Sequence, residues 1–169
     1  MDASDVASLL AKYASSGVLL DTNILLVYLV GRYSVEKIER FKRTNTFTRK
    51  DFEFLSGFVR QFHRIVTTPH VLTEVSNLAA HLEEPDRRSC FATFREELSV
   101  LHEISHPAVV ISQNNSAFER LGITDVAIPA AAGQKYLVLT DDLLLHHSLW
   151  DNGVEAINFN HIRLSGWGL

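Results

Sequence analysis

The chain has 169 residues, of which 46% are hydrophobic and 21% charged, with a formal net charge of −4. Its one cysteine, Cys90, excludes an internal disulfide and a thiolate zinc cage, and its apolar runs are far shorter than the roughly 20 residues of a membrane-spanning helix. The first residues lack the basic-then-apolar order of a secretion signal. We therefore expect a single cytoplasmic domain over residues 1–169.

Hydrophobic periodicity predicts alternating helices and strands in the first half of the chain. Strands are expected at 18–20, where an apolar run ends on Asp21, and at the β-branched residues 65–67. Pro69 suits the first turn of the helix that follows the second strand. The helices of this half are expected at residues 3–15, 22–30, 34–43, 52–64 and 69–79.

The second half continues the alternation. A helix should open at Pro85-Asp86, Val109–Ile111 should be a strand or an extended stretch, and a short helix should span Asn115–Leu121. The helix capped by Thr124-Asp125 contains Pro129, where we expect a kink or a tightened turn. Strands at 136–139 and 154–157 flank a leucine-rich helix, and residues 158–169 form a tail. This order predicts a three-layer α/β/α sandwich with a central, mainly parallel sheet of about five strands.

Acidic residues follow several of the predicted strands or open the helices after them: Asp21, Glu74, Asp125, Asp141 and Asp142. Each has an ordinary explanation as a helix cap or as a partner of the helix dipole. In a parallel sheet, however, all strand-to-helix turns emerge at one edge, so these acids should converge. Because clustered carboxylates repel one another, and because oxygen ligands suit hard cations, the pattern predicts a Mg²⁺ or Mn²⁺ site.

Two further groups of residues bear on such a site. The hydroxyls of Thr22 and Thr140 lie beside acids and can hold them in place or contact phosphate. A locally basic segment between residues 32 and 50 can contact a nucleic-acid backbone, although a solvated helix surface is the simpler explanation. Its candidate RNA-binding residues are Arg40, Lys42, Arg43, Arg49 and Lys50.

At four places, in this order, the sequence resembles the PIN-domain family of metal-dependent ribonucleases, which includes the toxin nucleases of toxin–antitoxin pairs. The four places are Asp21–Asn23, Thr68–Val75, Leu121–Asp125 and Leu139–Asp142. The resemblance implies hydrolysis of RNA phosphodiester bonds at a Mg²⁺ or Mn²⁺ site. It also implies a possible antitoxin protein as partner and a possible homodimer.

The resemblance also assigns roles to the residues of the site. Asp21 and Asp125 are expected as direct ligands of the principal ion, and Glu74 would bind a second ion or position the attacking water. The Thr-x-Asp spacing makes Asp142 the fourth acid, with Asp141 as a helix cap or a water-mediated helper. Asn23 is expected to support Asp21 through hydrogen bonding.

Two alternatives stay open at this point. The protein could be a phosphatase that forms an aspartyl-phosphate on Asp21, although such enzymes usually carry a second aspartate where this chain has Asn23. It could also be a PIN-like binding module that retains the acids without cleaving RNA.

Overall fold

A computed structural model describes residues 3–113 and 117–164, and in it five parallel strands form one sheet in the order β3-β2-β1-β4-β5. The strands are β1 (Val18–Leu20), β2 (Ile65–Thr67), β3 (His102–Glu103), β4 (Leu137–Thr140) and β5 (Ala156–Asn158). Helices cover the sheet, as the predicted α/β/α sandwich requires. The fold class is confirmed.

Most of the described residues belong to helices. They are α1 (Ala3–Tyr13), α2 (Thr22–Tyr33), α3 (Val35–Ile38), α4 (Arg49–Val59), α5 (Pro69–Ala79), α6 (Asp86–Leu98), α7 (Ala108–Gln113), α8 (Phe118–Ala132), α9 (Leu143–Asp151) and α10 (Phe159–Leu164). Within the described ranges, no helix is both long enough and apolar enough to cross a membrane.

Strand β1 lies at the centre of the sheet, and all three of its side chains are buried. Val18 pairs with Ile65 of β2 on one side and with Leu137 of β4 on the other. A central parallel strand is covered on both faces, which explains why its sequence is apolar without alternation. The carboxyl ends of β1, β2 and β4 therefore lie side by side at one edge of the sheet.

Local sequence signals place the helices that leave this edge. Asp21 caps α2, and Thr68 caps α5 with Pro69 at its first position. The Thr68 hydroxyl accepts a 3.2 Å hydrogen bond from the Val71 N–H, which satisfies one of the free donors of the first turn. Helices α2 and α5 pack against each other and run away from the edge in the same direction.

Several predicted elements were wrong in place or type. Val109–Ile111 belongs to α7, and the strand of this region is the two-residue edge strand β3. The predicted helix over 34–43 ends at Ile38. At Pro129, where a kink or a tightened turn was expected, the backbone of α8 stays helical. The break between the two helices predicted around Leu121 and Thr124 is confirmed at Gly122, whose φ of 77° is a conformation that glycine adopts readily.

The remaining differences concern the ends of elements. Part of the helix predicted over Asn115–Leu121 lies outside the described residues. The last strand begins two residues later than expected, and the predicted tail contains α10. Cys90 is buried, as expected for a small apolar side chain.

Candidate metal centre

Asp21 links β1 to α2 and is one of the few buried charged residues, with 4% of its surface exposed. Its Oδ1 accepts a 2.8 Å hydrogen bond from the Ile24 N–H, and its Oδ2 accepts one from the Thr140 hydroxyl and one of 3.2 Å from the Asp141 N–H. A carboxylate offers about four lone-pair sites. Three of those on Asp21 are therefore used inside the protein.

Asp141 and Asp142 follow β4 and have different surroundings. Asp141 Oδ1 accepts a 3.1 Å hydrogen bond from the Asn23 side-chain amide. Asp142 Oδ1 accepts from the N–H groups of Leu144 at 2.6 Å and Leu145 at 3.1 Å, so it caps α9. The expectation that Asp141 is the cap was wrong, because the two free N–H groups of α9 point at the second acid of the pair.

Glu74 and Asp125 complete the group from α5 and α8. The Thr22 hydroxyl donates a 3.2 Å hydrogen bond to Glu74 Oε2, which ties the first turn of α2 to α5. The break at Gly122 starts a new helical segment just before Asp125. Among the described residues, the half-buried Asp125 carboxylate has no hydrogen-bond or ion-pair partner.

The electrostatics show that the five acids are neighbours. Burial, followed by the negative charge of Asp141, raises the pKa of Asp21 to about 8. Burial, followed by the charges of Asp142 and Glu74, raises the pKa of Asp125 to about 6. The pKa of Asp141 is raised mainly by burial and further by Asp142, while the Asn23 hydrogen bond lowers it. The fold therefore brings together every acid that the sequence suggested, from four segments of the chain.

The donor set fits a hard divalent cation. It consists of carboxylate oxygens with hydroxyl and amide neighbours, and Asp125 contributes a carboxylate to which no described residue donates a hydrogen bond. Within residues 3–113 and 117–164, no three His, Cys, Asp or Glu side chains approach closely enough to enclose an ion by themselves. Mg²⁺ is usually held by one or two carboxylates and keeps several waters, so a closed cage is not the geometry it needs.

The structure adds residues that the sequence did not single out. The Asn160 side-chain amide donates a 2.9 Å hydrogen bond to the Asp141 carbonyl, and Asn160 Oδ1 accepts one of 2.9 Å from Arg163 Nε. Arg163 also forms a 3.0 Å ion pair with Asp51, and its positive charge lowers the pKa of Asp141. No repeated pattern marks these residues, because they lie in a short helix at the end of the chain.

The five basic residues suggested for RNA binding lie at two places in the structure. Arg49 is paired with Glu36 at 2.8 Å, and Lys50 lies beside it in the first turn of α4. Arg40, Lys42 and Arg43 line a groove with residues that follow α5. Its lining residues follow the carboxyl ends of α2 and α5 in the chain, whereas Asp21 caps the start of α2, a helix about 18 Å long.

Comparison of the chain with protein-family models, with curated proteins and with solved structures finds no match. The resemblance to PIN domains therefore stays a prediction from the sequence. The geometry of the acidic edge is what any functional proposal has to rest on.

Proposed function

We propose that the protein is a PIN-like, divalent-metal-dependent endoribonuclease that hydrolyses RNA phosphodiester bonds at the acidic edge of its sheet. The observation that carries the proposal is the convergence of five carboxylates from four distant segments, with Asp125 left without a hydrogen-bond partner among the described residues. Such an arrangement costs folding free energy through repulsion and desolvation, which a bound cation would offset.

Asp125, together with Asp142 or Glu74, is the residue best suited to hold Mg²⁺ or Mn²⁺, because the charges of both neighbours act on it and, among the described residues, each of the three keeps oxygen lone pairs that no donor uses. Such an ion, when bound, supplies water activation and neutralises phosphate charge. Asp21 has one lone-pair site left, so it contributes at most a single ligand oxygen.

The remaining polar residues orient these ligands. Thr140 donates to Asp21 and accepts a 3.0 Å hydrogen bond from the Asp142 N–H, so one hydroxyl joins the turns after β1 and β4. Asn23 and Thr22 fix Asp141 and Glu74 in the same way. Outer residues of this kind set the orientation and basicity of metal ligands.

The resemblance and the composition extend the proposal to partners and location. They suggest RNA as substrate, an antitoxin protein, a homodimer and a cytoplasmic location. The local charge of residues 32–50 suggests that Arg40, Lys42, Arg43, Arg49 and Lys50 contact the RNA backbone.

The burial of Asp21 bears on the phosphatase alternative. A nucleophilic carboxylate needs one oxygen free to attack phosphorus in line, but both oxygens of Asp21 accept hydrogen bonds and only 4% of the residue is exposed. This geometry weighs against an aspartyl-phosphate mechanism. The binding-module alternative is tested below.

The decisive variant is Asp125→Asn, because it removes a charge without removing a hydrogen bond seen among the described residues. We expect Mn²⁺-dependent cleavage of single-stranded RNA to fall at least about 100-fold and Mn²⁺ affinity, measured by calorimetry, to fall at least about 10-fold. The matched control is Asp151→Asn, which changes an exposed aspartate at the end of α9 and should alter neither quantity.

The other outcomes are equally informative. Full cleavage by a folded Asp125→Asn protein contradicts the proposed site. Binding of Mn²⁺ and RNA by the unmodified protein without cleavage of any RNA supports the binding module instead. Circular dichroism of both variants establishes that the fold is retained.

A further inference from the structure

A surface groove begins at the acidic edge. It has a volume of about 390 Å³ and lies between α5 and the second segment of α8, with Glu74 in its wall. Its other lining residues are Pro69, His70, Thr73, Asn77, Ile123 and Thr124. Since Glu74 also accepts from Thr22 and acts on Asp125, this groove opens directly from the proposed site.

A second groove adjoins the first along α5. Its volume is about 760 Å³, and it lies between α5 and α6. Ser76 of α5 and Ala80, the residue after α5, line it, and Ser76 is next to Asn77 of the first groove in the chain. Since consecutive residues of a helix point about 100° apart, the two grooves border neighbouring faces of the second half of α5.

The α6 side of this second groove is positively charged. Arg88 and Arg95 are exposed, lie seven residues apart on one face of α6, and form no ion pair or side-chain hydrogen bond within the described ranges. Arg87 is neutralised by Glu84 through a 2.8 Å ion pair. Glu84 also lines the groove, and its pKa is lowered by its hydrogen bond with Arg87 and by the charges of both Arg87 and Arg88. Three arginines and one glutamate thus leave this groove positively charged in a protein whose net charge is −4.

Apolar side chains lie between the two arginines. Phe91, which is half-buried, and Ala92 occupy the intervening turn, and Leu98 at the end of the groove is 46% exposed. A charged groove with an aromatic side chain in its wall is the arrangement that binds single-stranded nucleic acid, since phosphates meet the cations and bases stack on the ring. Paired RNA keeps its bases stacked and offers no such face.

We propose that single-stranded RNA lies along α5, from the acidic cluster into the α5–α6 groove, with phosphates on Arg88 and Arg95 and a base against Phe91. This inference rests on the proposed ribonuclease function and names where the substrate strand is held. Arg40, Lys42 and Arg43 line a different groove, whose lining includes none of the five acids of the site.

The test measures binding apart from cleavage. The protein in EDTA is titrated against a fluorescein-labelled single strand of about 12 nucleotides, within the usual site size, and anisotropy is followed at several salt concentrations. For R88Q/R95Q we expect Kd to rise at least about 10-fold and the slope of log K against log salt to shrink by about 1.4, because two phosphate contacts are lost.

Two further variants separate this role from a general effect of charge or stability. The matched control R60Q/K135Q removes two exposed charges that line neither groove and should change Kd less than about 3-fold. Phe91→Leu keeps apolar volume but removes the ring, so we expect weaker binding, of order 10-fold, with the salt slope unchanged.

Failure of the inference and failure of the proposed function give different results. If R88Q/R95Q binds RNA as tightly as the unmodified protein, or if R60Q/K135Q is the weaker binder, the proposed path of the RNA through the α5–α6 groove is wrong even when cleavage is observed. Absence of RNA binding by the unmodified protein also overturns it. If binding depends on Arg88 and Arg95 but no RNA is cleaved with Mn²⁺, the proposed path stands and the ribonuclease function does not.

Discussion

The side-chain amide of Asn23 donates a 3.1 Å hydrogen bond to Asp141 Oδ1, although 118 positions separate the two residues in the chain. The bond joins the turns that follow β1 and β4, which are neighbours in the sheet. It lowers the pKa of a carboxyl that burial raises, so it favours the charged form of Asp141. Asn23 is therefore more than a surface residue of α2.

The first prediction concerns this hydrogen bond. In Asn23→Ala, the pKa of Asp141 should rise further and the carboxylate should lose its fixed orientation. We expect Mn²⁺ affinity to fall about 10-fold by calorimetry, while the free energy of unfolding changes by less than about 0.5 kcal/mol because Asn23 is exposed. Asn45→Ala, at another exposed asparagine, is the control. Equal Mn²⁺ affinities for both variants would contradict a supporting role for Asn23.

The second prediction is the pH dependence of stability without metal. Asp21, with a pKa of about 8 in the folded state, and Asp125, with about 6, bind protons that the unfolded chain releases near its ordinary value of 3.8. Since the folded state holds more protons between about pH 4 and 8, the free energy of unfolding should fall as pH rises and level off above about 8.

The measurement is urea unfolding in EDTA at several pH values. His146 opposes the trend at lower pH, because its pKa is lowered and the folded state there holds fewer protons. Above about pH 7 most copies of this residue are neutral in both states, so the interval from about 7 to 8 reports chiefly on Asp21. With Mn²⁺ in place of EDTA, the free energy of unfolding should no longer fall as pH rises but increase. Stability that rises with pH across this interval would show that the acids are not destabilising.

Some features of the site could be read from the sequence for a definite physical reason. Asp21 ends a run that is apolar at every position, which identifies a central parallel strand and its carboxyl end. Pro69, after a threonine, identified the start of α5. Once parallel order is accepted, the convergence of the acids follows from topology alone.

Other features could not be read in this way. Val109–Ile111 is too short for periodicity to distinguish strand from helix, and the true edge strand, His102–Glu103, carries no apolar signal. Adjacent aspartates at 141 and 142 have the same local preferences, so only the direction of α9 decides which one caps it. Arg163 reaches the site through contacts with Asn160 and Asp51, which no local pattern encodes.

The third prediction concerns the packing of α2 against α4. A methyl group at Gly31 would lie 2.2 Å from Cδ2 of the Phe52 ring, whereas at Gly57, inside α4, nothing lies within 4 Å. We expect Gly31→Ala to lower the free energy of unfolding by about 1–3 kcal/mol through overpacking. Gly57→Ala should raise it by up to about 1 kcal/mol, because alanine favours the helix. Urea unfolding of both variants checks the pair, and a stabilising Gly31→Ala would contradict the packing.

The fourth prediction distinguishes Asp141 from Asp142. Asparagine caps helices about as well as aspartate, so Asp142→Asn should keep the cap of α9 and change stability little, while removing a charge beside Asp125. Asp141→Asn removes the charge that acts on the buried Asp21, so in EDTA near pH 8 it should stabilise the protein.

For Mn²⁺ affinity we expect the larger effect from the Asp142 substitution, whereas for stability we expect it from the Asp141 substitution. If Asp142 belongs with Asp125 and Glu74 to the ligand set, Asp142→Asn should lower Mn²⁺ affinity about 10-fold or more, and Asp141→Asn should lower it less. Calorimetry measures the Mn²⁺ affinities of the two variants, and thermal unfolding in EDTA measures their stabilities. If Asp141→Asn weakens Mn²⁺ binding more than Asp142→Asn does, the principal ligand of this turn is Asp141, and the ion lies nearer to Asp21 than to Asp125.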